Sequence, residues 1–195
     1  MPAGVSSGEC MGEPNAKPAD ATDAQLIARW QRGDQRAAAV LVERHARPLA
    51  RFAASLGARD GVEELVQDTF VRAFGAIETF RSDSSLRTWL FTICRRLLLD
   101  QRRAERRRKD QVELAEGHAV VEYDALDGMV GDETAQRVRD AVSRLSTMQR
   151  EVFTLRVSEG LPYEEIAKVV GSTTGSCRVH YHNAIKSIKE HLSDD

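Results

Sequence analysis

Cysteine is scarce: the chain has three in 195 residues, at positions 10, 94 and 177, an odd number at spacings that fit no metal site. A disulfide framework and a zinc ribbon are thereby excluded, and a reducing cytoplasm is the expected setting. No run of 18 apolar residues occurs, so no membrane insertion is expected. The first residues lack both a basic n-region and an apolar h-region, so no signal peptide is expected either. Strand-type alternation is nearly absent, and no internal repeat is evident. A Gly-rich phosphate loop, a nucleophile elbow and an HExxH motif are all missing. The expectation is a protein that is no enzyme, with no catalytic residue, no cofactor and no bound metal.

What is present is charge, unevenly placed. The whole chain carries 28 Lys+Arg against 30 Asp+Glu and 42% apolar residues, enough to fold one or two small domains. Residues 1–21 hold three prolines and many Gly, Ala and Ser, and read as a disordered tail. Residues 95–109 (RRLLLDQRRAERRRK) place eight basic residues against Asp100 and Glu105. Residues 110–134 then carry eight acids and no Lys or Arg. The near-zero total is a cancellation between adjacent blocks of opposite sign, which points to partners rather than to solubility.

Periodicity is helical throughout, so the fold class expected is all-α. Thr22-Asp23-Ala24-Gln25 reads as a capping box opening a short helix that Gly33 closes. Asp34 can cap a second helix to about Leu56, bent or interrupted at Pro48. Asp60-Gly61-Val62-Glu63 reads as a further capping box, ahead of a helix whose apolar stripe is Val62, Leu65, Val66, Phe70, Ala73, Phe74, Ile77 and Phe80. Ser82 to Ser85 form a polar loop and cap before a long helix from Leu86 to about Lys109. These helices make a first domain, 22–109. The stretch 110–131, with Gly117, Gly128 and Gly131, reads as a flexible acidic linker able to reach roughly 70 Å when extended. In a second domain, 132–195, Asp132 caps a helix over about Glu133 to Leu145, and Ser146 to Gln149 is a capping box for the next. A short helix Tyr163 to Val170, the turn Gly171-Ser172-Thr173 and a last helix from Thr174 to about Leu192 follow.

Three patterns carry function. In the last helix, Cys177, Tyr181, Ala184, Ile185, Ile188 and Leu192 recur at spacings of three and four, a buried stripe, while Arg178, His182, Asn183, Lys186 and Lys189 lie opposite. With Ala167 small at the crossing and Gly171 in the turn, this is a helix-turn-helix offering donors to a DNA major groove. His180, His182 and His191 on such a helix, without carboxylate or thiolate partners, do not make a metal site. Secondly, the arginines ending the 86–109 helix would neutralise phosphates, with steep salt dependence. Thirdly, Glu64, Gln67 and Asp68 share one face of the third helix, opposite its apolar stripe; alone, such a face is ordinarily just solvated. Cys94 and Cys177 both read as small buried hydrophobes.

The stretch EELVQDTFVRAFGAIETFRSDSSLRTWLFTICRRLLLDQRR resembles the second conserved region of extracytoplasmic-function sigma factors of bacterial RNA polymerase, and the helix-turn-helix resembles their fourth region. The resemblance implies a transcription initiation factor that takes core polymerase to promoters, recognises −10 and −35 elements and aids strand opening. It implies that Glu64, Gln67 and Asp68 grip the clamp helices of the beta-prime subunit. It implies −10 contacts from the loop Arg81, Ser82, Asp83, Ser84 and Ser85, which would capture a flipped base, with Trp89, Arg96, Arg102 and Arg103 beside it. Arg178, Val179, His182, Asn183 and Lys186 would face the −35 element. Further implied partners are the beta flap and an anti-sigma factor, and the acidic linker would thread toward the RNA exit path. The chain departs from the family at Arg96, where Asn is usual, and at Cys177 and His180, where Val and Arg are frequent. A helix-turn-helix regulator that binds DNA without being a polymerase subunit is the alternative, but it leaves Glu64, Gln67, Asp68 and the 81–85 loop without a role.

Overall fold

The structure, a computed structural model, describes residues 21–58, 61–80, 83–109 and 132–193. The tail and linker expected at 1–21 and 110–131 lie, but for Ala21, outside the described residues. Eight α-helices and one short 3-10 turn account for the described secondary structure, with no strand among the described residues: α1 (Asp23–Gln31), α2 (Gln35–Ser55), α3 (Val62–Gly75), the turn Ile77–Thr79, α4 (Leu86–Lys109), α5 (Asp132–Ser143), α6 (Thr147–Val157), α7 (Tyr163–Val170) and α8 (Thr174–Ser193). The fold is all-α. The chain divides into two compact units, one ending at Arg44 and one beginning at His45.

In the first unit the capping box is formed as expected. The Thr22 side chain accepts from the Gln25 N–H, and the Gln25 side chain accepts from the Thr22 N–H at 2.8 Å. Asp34 accepts from the Arg36 N–H at 3.0 Å and pairs with Arg29 at 2.8 Å. The Arg29 hydrogen bond holds the Asp34 carboxyl below its usual range. Arg44 ties the start of α1 down, bonding Asp23 Oδ1 at 2.5 Å and the Ala21 carbonyl at 2.9 Å.

In the second unit α3 packs along α4, α4 along α7, and α6 and α5 each against α8. Phe52 meets Phe91 edge-on, with centroids 5.0 Å apart. Leu49, Leu65, Leu90, Leu97 and Cys94 are buried around that layer. Burial pushes the Cys94 thiol up to about 12, against a weaker opposing bond with Thr69. Farther along the chain, Ala141, Val142, Leu145, Phe153, Ala184 and Ile188 form one core cluster, with Val138, Tyr181, Ile185 and Leu192 packed on it.

Two local expectations are corrected. Ahead of α3 the cap position falls on Gly61, left-handed at φ 72° and with no side-chain cap bond, rather than on Asp60, which lies outside the described residues. Pro48 neither ends nor interrupts α2, which runs through it from Gln35 to Ser55. An interior proline costs about 3 kcal/mol. The burial of Leu49, Phe52 and Ala53 just beyond it is large enough to offset that.

Candidate nucleic-acid interface

The helix-turn-helix is built from α7, a tight turn and α8. Ile166, Ala167, Val169 and Val170 are buried on α7, the amphipathic answer to a helix packed on one side. Gly171 ends it in the left-handed region at φ 68°, its N–H returning to the Ala167 carbonyl. This is a C-cap that glycine occupies without strain. Thr173 opens α8 by accepting from the Ser176 N–H at 3.1 Å. Cys177, Ala184 and Ile188 then face the core, while Arg178, Val179, His182, Asn183 and Lys186 are all exposed. Val179 is 58% exposed, a large apolar side chain that nothing covers among the described residues. Exposed donors flanking an apolar tip suit the mixed donor, acceptor and methyl surface of a major groove. Arg178 lies 5.6 Å from the Tyr163 ring centroid and 3.9 Å from Glu164.

On α3, Glu64, Gln67 and Asp68 are exposed, and they share their face with Val71, 64% exposed, and Arg72. Leu65, Thr69, Phe70 and Ala73 are buried on the other side. Val71 is thus a large apolar side chain left uncovered, among the described residues, beside a polar stripe.

Around the start of α4, Arg81 and Ser82 lie outside the described residues. Asp83 is exposed and Ser84 half-buried. Ser85 is the N-cap, accepting from the Thr88 N–H at 3.1 Å. Trp89 is half-buried against Phe80, with centroids 5.1 Å apart. Arg96 is exposed, and Arg103 is exposed with Asp100 3.5 Å away. Arg102 is half-buried and donates to the Leu56 carbonyl. Arg106, Arg107 and Arg108 continue the exposed basic end.

A family model described as Sigma-70 region 2 matches residues 41–108, and one described as Sigma-70, region 4 matches residues 135–188. The ECF RNA polymerase sigma-E factor of Escherichia coli (strain K12) is 31% identical over 176 residues, covering 86% of this chain and 92% of that protein. The chain belongs to the extracytoplasmic-function sigma factors. The ECF RNA polymerase sigma-E factor of Haemophilus influenzae is similar at 29% identity, over 88% of this sigma factor and 95% of that one. Among solved structures, the sigma factor RpoE in complex with the anti-sigma factor NepR from Bartonella quintana superposes with a TM-score of 0.67 at 30% identity, covering 79% of this chain and 95% of that one. CnrH in complex with the cytosolic domain of CnrY gives 0.62 at 28% identity, over 89% and 98%. The protein is a promoter-specific initiation factor of RNA polymerase, and a regulator independent of polymerase is not favoured.

Three residues of this sigma factor carry interactions that sequence reasoning missed. Glu159 is buried, its carboxylate shared between Arg51, at 2.9 Å, and Arg87. Glu151, also buried, accepts from Arg95 Nε at 2.8 Å; burial nonetheless raises its pKa. Glu165 accepts from the hydroxyls of both Ser85, at 3.0 Å, and Thr88. These partners stand 56 to 108 positions away in the chain, so no local spacing could have signalled them. Among the described residues no group of three or more His, Cys, Asp or Glu could hold a metal, and no helix is long and apolar enough to cross a membrane.

Proposed function

We propose that this sigma factor divides its work among three faces. In this reading residues 22–109 form the domain that binds core enzyme and the −10 element, 110–131 connect it to the rest, and 132–195 form the −35 domain. Glu64, Gln67 and Asp68, joined by Val71, dock on the beta-prime clamp helices, and the second domain meets the beta flap. Arg178, Val179, His182, Asn183 and Lys186 read the −35 duplex in the major groove. The loop from Arg81 to Ser85, with Trp89, captures an unstacked base of the −10 strand, and Arg96, Arg102 and Arg103 neutralise phosphates.

The observation that carries this reading is the exposed polar face of α8, with Val179 uncovered at its centre and the opposite face packed into the core cluster. That geometry supports duplex reading, and the independently exposed stripe on α3 supports a polymerase contact. The protein works in the cytoplasm as a binding subunit and contributes no catalytic chemistry of its own. The two solved relatives were each captured with a partner, an anti-sigma factor in the case of RpoE, and an inhibitory protein partner of that kind is proposed here too.

Run-off transcription with core polymerase tests the assignment. Initiation sites mapped by sequencing transcripts after overexpression supply the template. The purified chain should convert core enzyme from non-specific to promoter-specific synthesis. Failure to bind core polymerase at modest ionic strength, with no inhibitor present, overturns it.

A further inference from the structure

We propose that Tyr163 is a positioning residue for promoter reading: its ring, at the start of α7, holds the Arg178 guanidinium of α8 in place before DNA arrives. The proposal rests on the −35 reading of Arg178 given above and adds to it the residue that aims the side chain.

The ring is tied back to the core through other aromatic rings. Phe153 of α6 belongs to the core cluster, and Tyr181 of α8 stacks on it with centroids 6.5 Å apart and planes at 18°. Tyr163 meets Tyr181 edge-on, with centroids 6.0 Å apart and planes at 69°. Aromatic pairs favour both arrangements. Arg156 lies 4.9 Å from the Tyr163 ring centroid, and its own guanidinium is pinned by a 2.9 Å hydrogen bond to the Leu161 carbonyl. Tyrosine has only two side-chain torsions, so a half-buried ring with these neighbours has little freedom left.

Arg178 is the opposite case. It is exposed, its pairing with Glu164 at 3.9 Å is too long for a hydrogen bond, and no hydrogen bond holds it among the described residues. A long side chain of that kind gives up rotamer freedom when it engages a ligand, and the loss is subtracted from affinity. The Tyr163 centroid lies 5.6 Å from its guanidinium, within cation–π range.

A ring suits this task better than a second carboxylate would. Attraction to a π cloud requires no particular N–H, so the donor fork stays free for the O6 and N7 acceptors of a guanine. A neutral ring also adds no negative charge facing the phosphates. Because the ring stands on α7 and the arginine on α8, the contact crosses the turn between them. The angle of the two helices therefore sets where the guanidinium points.

The test uses the full chain in holoenzyme, by run-off transcription from the mapped promoter and a panel of −35 variants. Tyr163→Leu keeps apolar bulk and removes the ring. Transcription should fall about threefold to tenfold, the factor that ordering one such side chain represents. The loss should concentrate on the same base pair as that of Arg178→Ala. Tyr163→Phe keeps the ring and should retain parental transcription. With Arg178→Ala already in place, Tyr163→Leu should cause no further loss. Discrimination is a ratio between −35 variants, so a lower folded fraction cancels from it. Equal losses from Tyr163→Leu with and without Arg178 overturn the positioning role, because the ring would then act independently of the arginine. A loss with Tyr163→Phe as large as with Tyr163→Leu overturns it too, since the hydroxyl would be making a contact of its own. If Arg178→Ala leaves −35 discrimination intact, the −35 reading of Arg178 itself fails. Discrimination lost with Arg178→Ala but kept with Tyr163→Leu sinks the positioning role alone.

Discussion

Replacing Arg178 by alanine should separate promoter recognition from every other property of the chain. Its guanidinium touches little of the fold: the Glu164 pairing is 3.9 Å long, and the two side chains are 64% and 63% exposed. An exposed pair of that kind contributes at most about 0.5 kcal/mol, and the Tyr163 ring 5.6 Å away adds about as much. Stability should therefore fall by no more than about 1 kcal/mol, and binding to core polymerase should be unaffected. A side chain hydrogen-bonded to a base edge contributes about 1–3 kcal/mol of discrimination. Transcription from the mapped promoter should consequently drop about tenfold to a hundredfold, with the loss concentrated on one base pair of the −35 element. The assay is multi-round run-off transcription on a panel of −35 variants, alongside fluorescence-monitored core binding. A parallel loss of core binding and transcription would refute the placement of Arg178 on a groove-reading face. So would a loss spread evenly over all −35 sequences, which would make it a phosphate contact.

Gln67→Ala with Asp68→Ala should weaken core binding while leaving the melting temperature and the DNA affinity of the free chain unchanged, since both side chains are exposed. A drop in DNA affinity of the free chain would contradict the role given to that face. Gly171→Ala puts a side chain at φ 68° where nothing lies within 4 Å of the new Cβ. Backbone strain alone should then cost about 1 kcal/mol and lower the melting temperature by about 2–4 °C, with α8 recognition preserved in the folded fraction. Cys94, buried with its thiol pushed up to about 12, should resist alkylation in the native chain and react only on unfolding. Rapid labelling under native conditions would show that α4 opens locally.

Much of the helical layout was legible because its signals are local. The Thr22–Gln25 and Ser146–Gln149 boxes form as their spacing implies. Helix α7 spans Tyr163–Val170 because Pro162 and Gly171 bracket it with backbone geometries a helix cannot continue through. The stripe Cys177, Ala184, Ile188 is buried for the same reason it was visible, a spacing that returns to one face. Where tertiary forces outweigh local ones, the reading fails. Pro48 looks like a break, yet burial on either side of it carries α2 through. Gly61 takes a left-handed cap that an Asp-x-x-Glu reading of 60–63 does not anticipate. Nothing in the basic run signals that the Arg102 guanidinium also donates to a backbone carbonyl 46 positions away.

The acids beyond residue 134 show where sequence pattern stops being informative. Residues 135–195 hold nine basic and eight acidic side chains, a balance that suggests an ordinary solvated surface. Three of those acids, Glu151, Glu159 and Glu165, are instead committed to α2, α4 and the residues that cap α4. Charge balance by segment counts charges without saying which have left water, and it is desolvation that turns a carboxylate from decoration into a constraint.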